Sequence, residues 1–102
     1  MAASEQDHLQ RLASEFGKRV REHREERELT QETAAVMTDI SITTYQKIEQ
    51  GNRMPRLENV VKIIHGLKID PSYLFAGLGK LIPATSQVAV PVRRRRARQP
   101  RA

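Results

Sequence analysis

The residue types that most often carry chemistry are few in this chain and far apart. His8, His23 and His65 stand alone in the sequence and cysteine is absent. A thiolate zinc site is therefore excluded, and no spaced metal-ligand cluster or phosphate-cradling glycine loop is present. No enzyme, cofactor or metal is expected on these grounds, and His65 reads as a satisfied histidine at the edge of an apolar helix. What remains is charge. Arg93, Arg94, Arg95, Arg96, Arg98 and Arg101 account for the whole excess of 18 basic over 12 acidic residues, so residues 1–92 are formally neutral. A neutral body has no general attraction to polyanions, and any binding of nucleic acid by it must come from local arrangement of charge. The arginine run is expected to add DNA affinity through counterion release; RNA binding and an address signal are the alternatives.

The elements that must position any site are bounded by length. A chain of 102 residues holds one compact domain, without room for a second enclosed one. Its 38% hydrophobic and 29% charged composition is that of an ordinary soluble protein. No apolar run is long enough to span a bilayer, and MAASEQDHLQ lacks the basic flank and apolar core of a secretory signal. No membrane association and a cytoplasmic, nucleoid-associated address are expected. With Phe16, Tyr45, Tyr73 and Phe75 the only aromatics, aliphatic side chains must fill the core.

Periodicity predicts five helices. Leu9, Leu12, Ala13, Phe16 and Val20 recur at intervals of three and four and place a first helix over about 6–28. Thr30 can cap a short second helix beginning at Gln31, and Ser41 a third over Ile42 to Gln50 that turns Tyr45 and Ile48 inward and stops at Gly51. After the Asn52 to Pro55 loop, Leu57, Val60, Val61, Ile63, Ile64 and Leu67 make a strongly apolar fourth helix at the centre of the core. Asp70 followed by Pro71 starts a fifth over 71–76. Residues 6–77 form the domain and residues 78–92 a connector or dimerisation segment, in which Val88 to Val92 could make a short edge strand. The arginine-rich 93–102 is too polar to fold alone.

The stretch LTQETAAVMTDISITTYQKIEQGNRMPRLENVVKIIHGLKIDPSYLF resembles the lambda-repressor-like, Xre-type helix-turn-helix family over about Phe16 to Phe75. The marks are Gln31 at the start of the second helix, Ala35 within it, Ile40-Ser41 at the turn, the Ile48-Glu49-x-Gly51 close, Pro55, and Leu67-x-Ile69-Asp70. The fold this implies is all-α: a compact five-helix lambda-repressor-like helix-turn-helix domain with a flexible basic C-terminal tail. The chain departs from the pattern in having Glu28, Asp39 and Lys68 where the family commonly has glycine, and Ala34 and Thr38 where it has leucine. Asp39 tolerates a left-handed backbone better than Glu28 or Lys68. Reduced stability is expected, with the fold retained.

The resemblance implies that the third helix lies in the major groove of double-stranded DNA. Its base-reading edge would be Ile42, Thr43, Thr44, Gln46 and Lys47. Lys47 can donate to guanine, the threonines can bond either base type, and Ile42 can meet a thymine methyl. Gln31, Asn52, Arg53 and Arg56 would hold phosphates, and Arg24 with Glu49 would form a structural ion pair tying the first helix to the third. For each exposed residue the plainer alternative is a solvated surface position. The function implied is a sequence-specific transcription regulator, a repressor, acting as a homodimer on paired half-sites, with helix five and Leu78, Leu81 and Ile82, or the valine segment, as the dimer surface. The alternative is a protein-interaction module binding a protein partner, such as an antitoxin or a bridging co-regulator.

Overall fold

The computed structural model describes residues 5–83, with side chains from Asp7 onward. The valine segment and the arginine tail lie outside the described residues. Helices α1 (Glu5–Glu26), α2 (Gln31–Thr38), α3 (Ile42–Gln50), α4 (Leu57–Gly66) and α5 (Pro71–Phe75) follow in order, and a single 3-10 turn occupies Leu78–Leu81. Caps set the starts. Thr30 accepts from the Thr33 N–H, Ser41 from the Thr44 N–H and Asp70 from the Ser72 N–H, each satisfying a donor the helix cannot satisfy itself.

Three of the helix ends, those of α1, α2 and α4, share one device. Leu29 N–H donates to the Arg24 carbonyl, Ile40 N–H to that of Ala35 and Ile69 N–H to that of Ile64. These six-to-one bonds mark Schellman turns, which need a left-handed residue just before the donor. Glu28, Asp39 and Lys68 supply it, at φ 56°, 57° and 53°. The first helix therefore stops two residues short of its expected end at 28, because Glu28 turns the chain. The residue after each turn is apolar and packs inward: Ile40 and Ile69 are buried and Leu29 lies against the core.

That core is built from Phe16 and Val20 of α1, Ala34 and Ala35 of α2, Tyr45 and Ile48 of α3, Val60 and Ile63 of α4, then Leu67, Ile69 and Leu74. Leu67 follows α4 and Leu74 belongs to α5. The fourth helix contributes less than its composition suggests. Val60, Ile63 and Leu67 take the inner stripe, while Leu57 and Val61 are 76% and 56% exposed, because six apolar positions on the eleven residues from Leu57 to Leu67 span more than one face. Leu9 is likewise exposed, and so is His65, which stands in solvent and not at the edge of the core. Two crossings are close enough to exclude any side chain: a Cβ on Gly17 would overlap the Ile48 carbonyl of α3, and one on Gly66 the Met37 carbonyl of α2. The small α2 side chains are accommodated, since Ala34 and Ala35 are buried and the Thr38 hydroxyl donates back to the Ala34 carbonyl. Phe75 stacks on Phe16 at 6.3 Å, and Arg19 donates to the Tyr73 and Leu74 carbonyls at the end of α5. Leu78 is buried, so the packed body continues through the 3-10 turn.

Candidate nucleic-acid interface

The third helix has two unlike edges. Tyr45, Ile48 and Glu49 are buried, whereas Ile42, Thr43 and Lys47 are exposed and Thr44 and Gln46 half-buried. Helical spacing produces the division, since 42, 43, 46 and 47 lie within one arc and 45, 48 and 49 within the opposite one. The Ser41 hydroxyl donates to Thr44 Oγ1 at 2.9 Å while accepting from the Thr44 N–H. Thr44 is thus partly committed to the cap, and keeps its own proton to donate.

A polar network fixes the inner edge. Arg24 Nε and Nη2 donate to Glu49 Oε2 and Oε1 at 2.7 and 3.0 Å, and Nη1 donates to the Leu29 carbonyl at 2.8 Å. Only 2% of the Glu49 side chain and 12% of the Arg24 side chain meet solvent. Burial alone would push the Glu49 carboxyl up. Hydrogen bonds from Arg24 and Gln31, with the nearby Tyr45 hydroxyl and the Arg24 charge, outweigh it and hold the group below its ordinary value. The bond to Glu49 correspondingly raises Arg24. The Tyr45 hydroxyl is enclosed beside this pair and helps to stabilise the carboxylate charge, yet lies outside hydrogen-bonding geometry. Burial first, and the Glu49 carboxylate second, push the phenol far above its usual range. Gln31, at the first turn of α2, donates to Glu49 Oε1 at 3.1 Å and accepts from Gln46 Nε2 at 3.2 Å.

Beyond the C-terminal end of α3 an open groove of about 690 Å³ is lined by Thr44, Lys47, Ile48, Gln50, Asn52, Arg53, Met54, Pro55, Arg56 and Asn59. Three cations and no carboxylate line it, so the neutral body is locally basic there. Arg53 and Arg56 are exposed, and Asn52 donates to Gln50 Oε1 at 3.3 Å. Arg56 is the N-cap of α4 but makes no side-chain cap bond, which leaves the first N–H groups of that helix available to an anion.

Residues 20–74 match the family of helix-turn-helix domains designated HTH_3. The chain belongs to this helix-turn-helix family. The control protein C.MunI of a Mycoplasma species is 39% identical to this helix-turn-helix protein over 66 residues, covering 64% of this chain and 89% of that one. The crystal structure of the wild-type restriction-modification controller protein C.Esp1396I superimposes with a TM-score of 0.60 at 27% identity, covering 70% of this chain and 92% of its own. The protein is thus a DNA-binding regulator of the Xre, lambda-repressor-like type, and not an enzyme. Among the described residues no helix is long and apolar enough to cross a membrane.

In this helix-turn-helix protein, Ile42, Thr43, Gln46 and Lys47 share the outer arc of α3 and Thr44 flanks it at the Ser41 cap, and Lys47, Asn52, Arg53 and Arg56 meet in the groove. Gln31 stands apart from that groove, against Gln46 and Glu49. Gln50 and Asn59 complete the groove lining and were not singled out from the sequence. Asn59 had a signal, its place three residues after Arg56 on the first turn of α4, whereas Gln50 had none beyond adjacency to Gly51.

Proposed function

We propose that this protein is a homodimeric, sequence-specific transcription regulator that sets α3 in the major groove and controls the genes of a restriction-modification system. Ile42, Thr43, Thr44, Gln46 and Lys47 read base edges, and Gln31, Asn52, Arg53 and Arg56 grip phosphates. The observation that carries the reading is the division of α3: a polar edge open to solvent stands opposite an edge locked by Arg24 and Glu49, beside a groove whose charged lining residues are all cations. The restriction-modification role rests on the names of the two relatives, a control protein and a restriction-modification controller protein. Repression follows from occupancy, since a bound dimer blocks the DNA it covers.

Dimerisation supplies the affinity that one small neutral module lacks. Buried Leu78 is unavailable for it, but Tyr73 and Phe75 on α5, Leu57 and Val61 on α4, and Ile82 are exposed apolar residues. Selection of bound sites from a random DNA library tests the proposal. The expected result is a two-fold symmetric consensus with half-sites about 34 Å apart, lost in a Thr43→Ala/Lys47→Ala variant. Absence of enrichment refutes sequence reading, and a protein that is monomeric both free and on its best site refutes dimerisation. If the variant loses no DNA preference but a protein partner is retained, the interaction-module reading replaces this one.

A further inference from the structure

We infer that Glu49, acting through Gln31, fixes the orientation of the Gln46 amide so that Gln46 reads adenine and rejects guanine. This rests on the proposed placement of α3 in the major groove. The argument is one of hydrogen-bond polarity. An ionised carboxylate can only accept, and Glu49 is held ionised between two Arg24 donors in a buried site. Gln31 must therefore turn its amino group to Glu49 Oε1, at 3.1 Å. The Gln31 carbonyl oxygen then faces the other way, and the group bonded to it must be a donor. Gln46 meets it with Nε2 at 3.2 Å. Each step leaves one choice, so the buried charge sets the direction of an amide two links away on the same helix.

The consequence lies in what Gln46 has left. One N–H of its amino group is committed to Gln31, leaving one N–H and the carbonyl oxygen. That donor and acceptor match adenine, which offers N7 as an acceptor and N6–H as a donor. Guanine offers N7 and O6, two acceptors, and would set its O6 against the Gln46 oxygen. A glutamine free to rotate could turn both amino protons to guanine; this one cannot. Gln31 retains a single free N–H for a phosphate, so one side chain links phosphate contact to base reading. Gln31 and Glu49 are positioning residues for Gln46.

Site selection on the full-length protein and two variants, each first checked for its helical circular dichroism and melting, tests the chain. For wild type we expect one position per half-site with adenine favoured over guanine by roughly tenfold. Gln46→Ala should erase preference at that position alone. Gln31→Met, which keeps the Arg24 to Glu49 pair and much of the side-chain volume, should leave a purine preference in which adenine and guanine are accepted within about threefold. A uniform loss of affinity in Gln31→Met with the adenine preference intact overturns the inference, because Gln31 would then be a phosphate contact only. An enriched consensus in which no position responds to Gln46→Ala also overturns it while leaving the proposed function standing. No wild-type enrichment at all overturns the proposed function itself.

Discussion

Replacing Glu28, Asp39 and Lys68 by glycine should stabilise the protein, although each substitution deletes a side chain and adds backbone freedom. All three residues sit at φ between 53° and 57° in Schellman turns. A Cβ in the left-handed region costs about 1–2 kcal/mol, from which glycine's greater loss of entropy on folding returns about 0.5–1 kcal/mol. The net gain is therefore about 0.5–1 kcal/mol per site, modified by charge. Glu28 places a negative group at the C-terminal end of α1, against the helix dipole, so its removal gains a further ~0.3 kcal/mol or more. Lys68 is favourably signed at the end of α4 and loses a similar amount. Asp tolerates this backbone, so Asp39→Gly gains least; its contact with Lys62 is 3.9 Å and 96% exposed on the Asp side, and contributes nothing to set against it. The order should be Glu28 first, and the triple variant should gain about 2 kcal/mol, or roughly 8–16 °C in Tm for a domain of this size. Urea melts should show higher midpoints with unchanged slopes. Glu28→Ala separates the causes, since it removes the charge but keeps the Cβ. If it stabilises as much as Glu28→Gly, backbone strain plays no part and the reasoning fails. Gly77→Ala is the mirror control: at φ 72° with nothing within 4 Å of the added methyl, it should destabilise through strain alone.

Gly17→Ala should do the opposite of these glycine gains, losing about 3 kcal/mol in a urea melt, because its methyl overlaps main chain that cannot move without separating α1 from α3; a loss under about 1 kcal/mol would show that the crossing is loose. Glu49→Ala strands Arg24 in a site 12% exposed and should cost about 3–5 kcal/mol by thermal or urea unfolding, far above a surface substitution, whereas melting equal to wild type would dismiss the pair. Since the folded Glu49 pKa lies below its unfolded value, the unfolded chain takes up the proton first: the stabilisation is complete above the ordinary carboxylate range and is lost as pH falls through the folded pKa. Glu49→Gln should flatten that acid limb, and an unchanged pH profile would count against the assignment. Arg53→Gln together with Arg56→Gln should weaken binding to all DNA sequences alike and reduce the slope of log affinity against log salt by about 0.9 per phosphate contact; a changed consensus with the same slope would make them base readers.

The fold was legible where local chemistry is redundant. Thr30, Ser41, Asp70 and Gly51 each mark a helix boundary by a mechanism that depends on neighbours in sequence, and Glu28, Asp39 and Lys68 could be identified as left-handed positions from the resemblance alone. Periodicity was weaker on α4, because it shows that a helix is apolar and not which of two adjoining stripes finds a partner; Leu57 and Val61 look no different from Val60 and Ile63 until α1 and α2 are in place. Gly17 and Gly66 were illegible for a related reason, as closeness of two backbones is a property of the crossing. At the site, the order of residues along α3 was enough to divide its edges. The bonds of Gln31 to Glu49 and Gln46 were not readable, since they join residues 15 and 18 positions apart through side-chain geometry.

The charges of this small protein separate into different tasks by where they sit. Arg24 and Glu49 are nearly enclosed and add no net charge to the surface, so they can neither attract DNA nor be screened by salt as exposed groups are. Their worth lies in direction: a buried acceptor-only group dictates which way its neighbours' amides point. Lys47, Arg53 and Arg56 are exposed around one groove that holds no carboxylate, in a body whose acids and bases cancel only when these three are counted, so under the proposed function they mark where a phosphate backbone would be held and, by contrast with the net acidic remainder, where it would not. A uniformly basic surface would bind DNA in many registers and leave α3 to select among them. A neutral surface with one basic groove would fix register electrostatically before any base is read. On the proposed function, the sequence preference of α3 would then depend less on the number of contacts it makes than on how few ways the protein can be set down.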